Sequence, residues 1–192
     1  TLATGVSDRY PVPEQVEVFM SLMPRMKSAA ILLNPAEANS RTLADQTDHE
    51  LRSRNVRVTR YEIFKLSEIA SRVKQALADA DCVIVNGDNF LVQNLTEVIN
   101  SCILARKPLF VGDPDSVKKG AVATVGPSYY ALGRQAGHKA AEILRGKDPR
   151  SIPSEYPSEF EYVLNTKAAS AMGLAIPAEF WQRRTVWSSI DS

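Results

Sequence analysis

Cysteine, histidine and net charge are all scarce in this sequence, and each scarcity removes a class of function. Two cysteines occur in 192 residues. Cys82 lies in an apolar run and Cys102 in a segment of helical periodicity, so they read as buried thiols that say nothing about redox compartment. The two histidines, His49 and His138, sit inside helical segments without a second ligand at metal spacing and read as structural or surface residues. Lys plus Arg (23) and Asp plus Glu (22) nearly cancel to a formal net charge of +1. No basic run follows a phosphate backbone, which argues against nucleic acid as a partner. No apolar stretch approaches the ~20 residues of a membrane span, and TLATGVSDRY lacks the basic and apolar regions of a signal peptide. GxSxG, P-loop and GxGxxG patterns are missing, as are internal repeats, and no nucleophile stands beside an evident base. These gaps predict a protein that is not an enzyme and takes no cofactor and no metal.

What is present is an alternation of short apolar runs with longer helical ones, in a composition of 44% hydrophobic and 23% charged residues that suits a globular chain. SAAILLN (28–34), CVIVN (82–86) and PLFVG (108–112) are continuous apolar runs, as parallel strands covered on both faces require. VRVTRYEI (56–63) alternates and belongs nearer an edge. Helical signals lie between them: PEQVEVFMSLM, a segment beginning near Asn39 or Ser40, LSEIASRVKQALADA with Ser67 as N-cap, and LVQNLTEVINSCILA. The order predicts an α/β fold with a doubly wound parallel sheet. After Gly120 the pattern changes to a short strand AVATV, a long helix from SYYALGRQAG to Gly146, a Pro-rich stretch, a strand EYVLN, a short helix closed by Gly173, and a tail.

Ligands of open α/β sheets bind beyond the carboxyl ends of the strands, where loops and helix N-termini converge. Three such ends are polar here: Asn34 to Ser40, Asn86 to Asn89, and Gly112 to Ser116. Carboxylates beside helix N-termini can hold a ligand's ammonium on the acids and its carboxylate on the N–H groups. The same residue types also make ordinary turns and caps, and Asp115 or Ser116 could cap a helix beginning at Val117. The rim is not a receiver-type phosphoacceptor pocket, because ILLNPAE lacks the paired acids that such a pocket places after its first strand.

The segments TGVSDRYPVPEQVEVF, ILLNPAEANS, NGDNFLV, the block from Val111 to Lys147 and EYVLNTKAASAMGLAIP, in that order, resemble the ABC-transporter substrate-binding family that includes tryptophan- and tyrosine-type amino-acid binders. The resemblance implies a type I periplasmic-binding-protein-like fold, in which two α/β lobes close over a small ligand and the closed form docks on a membrane permease. In that family a portion supplying most of the first lobe precedes TGVSD, so the chain is expected to lack it. Residues 7–121 then correspond to the second lobe, 122–150 to a segment crossing back to the first lobe, 151–177 to a returning strand and helix, and 178–192 to a tail. The apolar side of the crossing helix (Tyr129, Leu132, Ala136, Ala140, Ile143, Leu144) is expected to favour a homodimer or association with the missing lobe. Carried over by resemblance, the ligand-binding residues are Ser7 and Asp8 near the hinge, Asn39 and Ser40 after the first strand, Asp88 and Asn89 after the third, and Asp113, Asp115 and Ser116 after the fourth. Tyr10 is a weaker candidate for stacking. The implied ligand is an amino acid or a similar small polar molecule, and the implied location is periplasmic or extracytoplasmic, with the signal peptide not in this chain. An extracytoplasmic sensing domain of a signalling or regulatory protein is the alternative on the same fold.

Overall fold

The computed structural model of the chain describes residues 3–182 and 187–190. Among these, seven strands form one sheet: β1 (Ser28–Leu33), β2 (Arg57–Glu62), β3 (Cys82–Val85), β4 (Leu109–Val111), β5 (Ala123–Pro127), β6 (Phe160–Asn165) and β7 (Trp187–Ile190), in spatial order β2-β1-β3-β4-β5-β6-β7. The first five run parallel, β6 runs antiparallel to β5, and β7 runs parallel to β6. Every residue of β1, β3 and β4 is buried, as their unbroken apolar sequences require of interior strands. The edge position falls to β2, which buries Val58 and Tyr61 and leaves Arg57, Arg60 and Glu62 in solvent, charges that discourage pairing with another chain.

The helices are α1 (Val12–Leu22), α2 (Ala38–Arg52), α3 (Ile69–Asp79), α4 (Asn89–Gln93), α5 (Leu95–Ala105), α6 (Pro114–Lys118), α7 (Tyr129–Leu144) and α8 (Thr166–Ala171). α1 packs on α2 and β5, α2 on β1 and β2, and α3 on α5 and the same two strands. The α1 stripe Val12, Val16, Phe19 and Leu22 follows helical spacing, and Phe19 stacks on Phe110 of β4 with ring centroids 4.5 Å apart. Cys82 and Cys102 are free and buried; burial pushes both thiols up, Cys102 to about 12, so they stay protonated.

Several local boundaries differ from the sequence reading. α2 starts at Ala38, one residue before the earlier expected position, with Glu37 in the N-cap place. Ser67 is not a cap; it lies in a 3-10 turn, Leu66–Glu68, whose Glu68 carboxylate accepts the Phe64 N–H at 2.9 Å. The helix expected through LVQNLTEVINSCILA breaks at Asn94, whose side chain donates to the Phe90 carbonyl at 2.8 Å and so competes with helix continuation. The last polar loop is capped by Asp113 rather than by Asp115 or Ser116, with Pro114 at the first helical position.

β5 lies inside the sheet, and the chain leaves the sheet at Ser128, the N-cap of α7. Only Ala131 and Lys139 of α7 are buried, and Tyr130 and Leu144 are 78% and 88% exposed. Two side chains tie α7 to the Pro-rich segment: the Lys139 ammonium donates to the Pro153 carbonyl at 2.6 Å and pairs with Glu155 at 2.8 Å, and the Gln135 amide donates to the Tyr156 carbonyl at 3.2 Å and accepts the Ser158 N–H at 3.1 Å. In the tail, residues 183–186 and 191–192 lie outside the described residues.

Candidate functional site

The carboxyl ends of β1, β3 and β4 open into a cavity of about 880 Å³. The α2 wall presents Asn39, Thr42 and Gln46, about one turn apart on one side of the helix. Facing it are Ser7, Asp8 and Tyr10 from the segment entering α1, Asp113 and Asp115 at the start of α6, and Tyr129 at the start of α7. A second cavity of about 540 Å³ adjoins this one and shares Arg9, Tyr10 and Gln46 with it; there the Arg9 guanidinium lies 5.4 Å from the Tyr156 ring centroid.

Two glycines let the aromatic wall approach the strand ends. Gly87 has φ +53, a left-handed conformation that turns the chain after β3, and a Cβ there would lie 2.3 Å from Leu43 Cδ1. At Gly112 a Cβ would lie 3.0 Å from the Gly87 nitrogen and 3.3 Å from the Tyr10 ring. Tyr10 therefore rests on backbone that only glycine exposes. Burial, and then the Tyr129 hydroxyl 3.4 Å away, push its phenol well above the ordinary value, so it enters the site neutral.

The nine residues predicted from the sequence fall into two groups. Ser7, Asp8, Asn39, Asp88, Asn89, Asp113 and Asp115 border the cavity, whereas Ser40 and Ser116 do not and are buried. Of the bordering acids, Asp88 is fully buried, and its carboxylate accepts the Asn34 N–H at 2.5 Å, the Ser40 hydroxyl at 2.6 Å and the Leu91 N–H at 2.8 Å. It joins the β1 loop, α2 and α4 and has no acceptor capacity turned to solvent. Asp113 caps α6 by accepting the Ser116 N–H at 2.8 Å and the Ser116 hydroxyl at 2.7 Å. Asp115 pairs with Lys118 at 2.8 Å, and the Asn39 amide donates to the Gly87 carbonyl at 2.6 Å. Asp8 and the side chains of Ser7 and Gln46 have no hydrogen-bond or ionic partner among the described residues.

Sequence reasoning missed Glu37, Thr42, Gln46 and Tyr129. Thr42 and Gln46 were recoverable from Asn39 by helical spacing; Tyr129 was not, since its place depends on where α7 leaves the sheet. Glu37 accepts from the Asn89 amide at 2.8 Å, the Asn89 N–H at 3.1 Å and the Phe90 N–H at 2.9 Å, joining the start of α2 to the start of α4. Burial raises its carboxyl, but these bonds outweigh it and hold the group below the ordinary carboxylate value of 4.5. A depressed folded-state value means that the stabilisation is complete above the unfolded value and is lost as pH falls through the folded one. Amide exchange at Asn89 and Phe90 is therefore expected to accelerate, after correction for intrinsic rates, as pH falls below the ordinary carboxylate value of 4.5 and through the lowered folded-state value. Protection that persists into stronger acid would show that Glu37 does not hold α4.

Among the described residues, no group of three or more His, Cys, Asp or Glu is arranged to hold a metal ion, and no helix is long and apolar enough to cross a membrane. A family model described as ABC transporter substrate binding protein matches residues 1–185. The chain belongs to this family. It is 27% identical over 171 residues to a tyrosine-binding protein of Clostridioides difficile, an alignment that covers 89% of this chain and 50% of the relative. A solved structure of a conserved domain protein from Vibrio cholerae superposes with TM-score 0.86 at 27% identity, covering 98% of this chain and 66% of the other. The ABC domain from Streptococcus pneumonia in complex with L-Trp superposes with TM-score 0.85 at 27% identity, covering 97% and 64%. This member of the family thus has a periplasmic-binding-protein-like fold and spans about half the length of the curated relatives it matches. Substrate-binding proteins of ABC systems bind small molecules and typically work outside the cytoplasm.

Proposed function

We propose that this substrate-binding protein serves an ABC uptake transporter by holding an amino acid, or a similar small polar molecule, in the cleft at the strand ends, without chemical turnover. One observation carries the reading: Asp8, Ser7, Gln46 and the Lys119 ammonium, whose side chains have no hydrogen-bond or ionic partner among the described residues, gather in one cavity beside the N-terminus of α2. α2 has no side-chain cap bond and no acid in its first turn. Its first N–H groups are available to a ligand carboxylate, while Asp8 takes the ammonium. Tyr10 and Tyr129 supply a flat wall for the ligand's apolar part. The reading is supported by the names of the relatives, one a tyrosine-binding protein and one solved with L-Trp.

In this reading residues 7–121 form most of one lobe, β5 stays in its sheet, and the rest of 122–150, from Ser128 on, carries the chain away from it, with 151–177 returning. A second lobe closes the cleft over the ligand by a population shift, and the closed form presents the ligand to a permease. The test begins with native mass spectrometry of the chain, followed by calorimetric titration with L-tryptophan, L-tyrosine and a panel of other L-amino acids. Mass added by one amino acid, or saturable binding, is the expected result; turnover of the ligand, or no binding by any member of the panel, overturns it. Asp8→Ala is expected to weaken binding by about tenfold or more, about 1.4 kcal/mol, with unfolding within ~0.5 kcal/mol of the parent. Undiminished affinity would remove Asp8 from the site.

A further inference from the structure

β4 and β5 are the least firmly joined neighbours inside the sheet. Their register holds a single residue pair, Phe110 with Ala123, against three pairs for β3 with β4 and five for β5 with β6. Beyond that pair the ladder stops at the point where both strands enter the cleft. β4 ends in Gly112 and leads to Asp113; β5 continues through Val125 and Gly126 to Ser128 and Tyr129.

One side chain bridges this seam. Gln15 stands in the apolar stripe of α1, fully buried, and its Nε2 donates to the Gly112 carbonyl at 2.9 Å and to the Val125 carbonyl at 2.6 Å. Its Oε1 is also buried and has no donor among the described residues. Turning the carboxamide over would set Oε1 against two carbonyl oxygens, so the chemistry of the partners forces the observed orientation. A leucine would suit the stripe better and carry no desolvation cost, so the position is not explained by packing. α6 presses on the same seam: a Cβ on Gly126 would lie 2.6 Å from Pro114 Cδ.

We infer that Gln15 is a positioning residue for the cleft, a pin whose amide replaces the missing ladder bonds and sets the spacing between the strand end bearing Asp113 and the strand continuation bearing Tyr129. Because Tyr10 immediately precedes the Pro11 N-cap of α1, the helix that carries Gln15, the pin also ties the aromatic wall to both strands. Its structural half stands on these bonds; its functional half rests on the ligand-binding reading above.

The test compares the parent chain with Gln15→Met, which keeps the length and removes both donors, by amide hydrogen exchange and by titration with L-tryptophan. Peptides covering Asp113 to Ser116 and Ser128 to Leu132 are expected to exchange at least tenfold faster, with peptides from β1 and β3 unchanged, and affinity is expected to fall tenfold or more. Unchanged exchange in those two segments, or a uniform rise across the whole sheet, overturns the inference, the second by showing a packing role only. Should Gln15→Met fail to fold, Gln15→Asn, whose shorter amide cannot reach both carbonyls, is measured in the same way. If the parent chain binds no L-tryptophan, that ligand is ruled out while the exchange comparison still decides whether Gln15 is a pin.

Discussion

Asp88→Ala is expected to destabilise the protein by about 3–5 kcal/mol, because it strands three buried donors at once, each costing roughly 1–3 kcal/mol when left without a partner. The donors come from the β1 loop (Asn34 N–H), from α2 (Ser40 hydroxyl) and from the first turn of α4 (Leu91 N–H). The interior at Asp88 is closed to water, so solvent cannot replace the lost acceptor without local opening. Against a total stability of about 5–15 kcal/mol, such a loss brings the chain near its unfolding threshold. Urea unfolding followed by circular dichroism measures it directly. A loss below about 1 kcal/mol would mean that the three bonds are not a unit. Asp88 and Asp8 border the same cavity yet predict opposite outcomes: removal of Asp88 attacks the fold, and removal of Asp8 attacks only the ligand.

Phe110→Ala is expected to cost a similar amount, about 3–5 kcal/mol, through lost burial and the cavity left behind. Phe110 is fully buried in the three-residue strand β4, and its stacking on Phe19 adds roughly 0.5–1.5 kcal/mol beyond area alone. In a chain of this size the loss corresponds to a fall in Tm of about 10 °C. Phe110→Leu, which retains most of the volume, should lose less than half as much. Equal losses for the two variants would place the cost in the ring pair rather than in the cavity. Because Phe19 belongs to α1 and Tyr10 enters that helix, the alanine variant is also expected to loosen the aromatic wall of the cleft.

The legible part of this protein lies in residues whose neighbours along the chain settle their state. SAAILL, CVIV and LFV are apolar throughout, so they had to be interior strands, and RVTRYE alternates with charge, so it had to lie at an edge. Parallel strands linked by helices put their carboxyl ends on one rim, and the polar loops at those ends marked the cavity. The family was legible too, from the order and content of the polar loops and the block that follows them.

The sequence by itself therefore determined strands β1 to β4, the rim and the family, since periodicity and loop chemistry are local properties, whereas the places of β5, of antiparallel β6 and of β7 in the same sheet came only from the fold. Only the tertiary structure decided which acids on the rim are free. Asp88 takes its partners from residues 54 and 48 positions away, Asn34 and Ser40, and no window along the chain contains all three. Asp113 and Asp115 look alike in sequence, yet one caps α6 and the other pairs with Lys118. Gln15 reads as a polar interruption of an apolar stripe until β4 and β5 are brought to either side of its amide. A hydrogen bond depends on where two distant segments meet, and packing of the whole chain sets that meeting point.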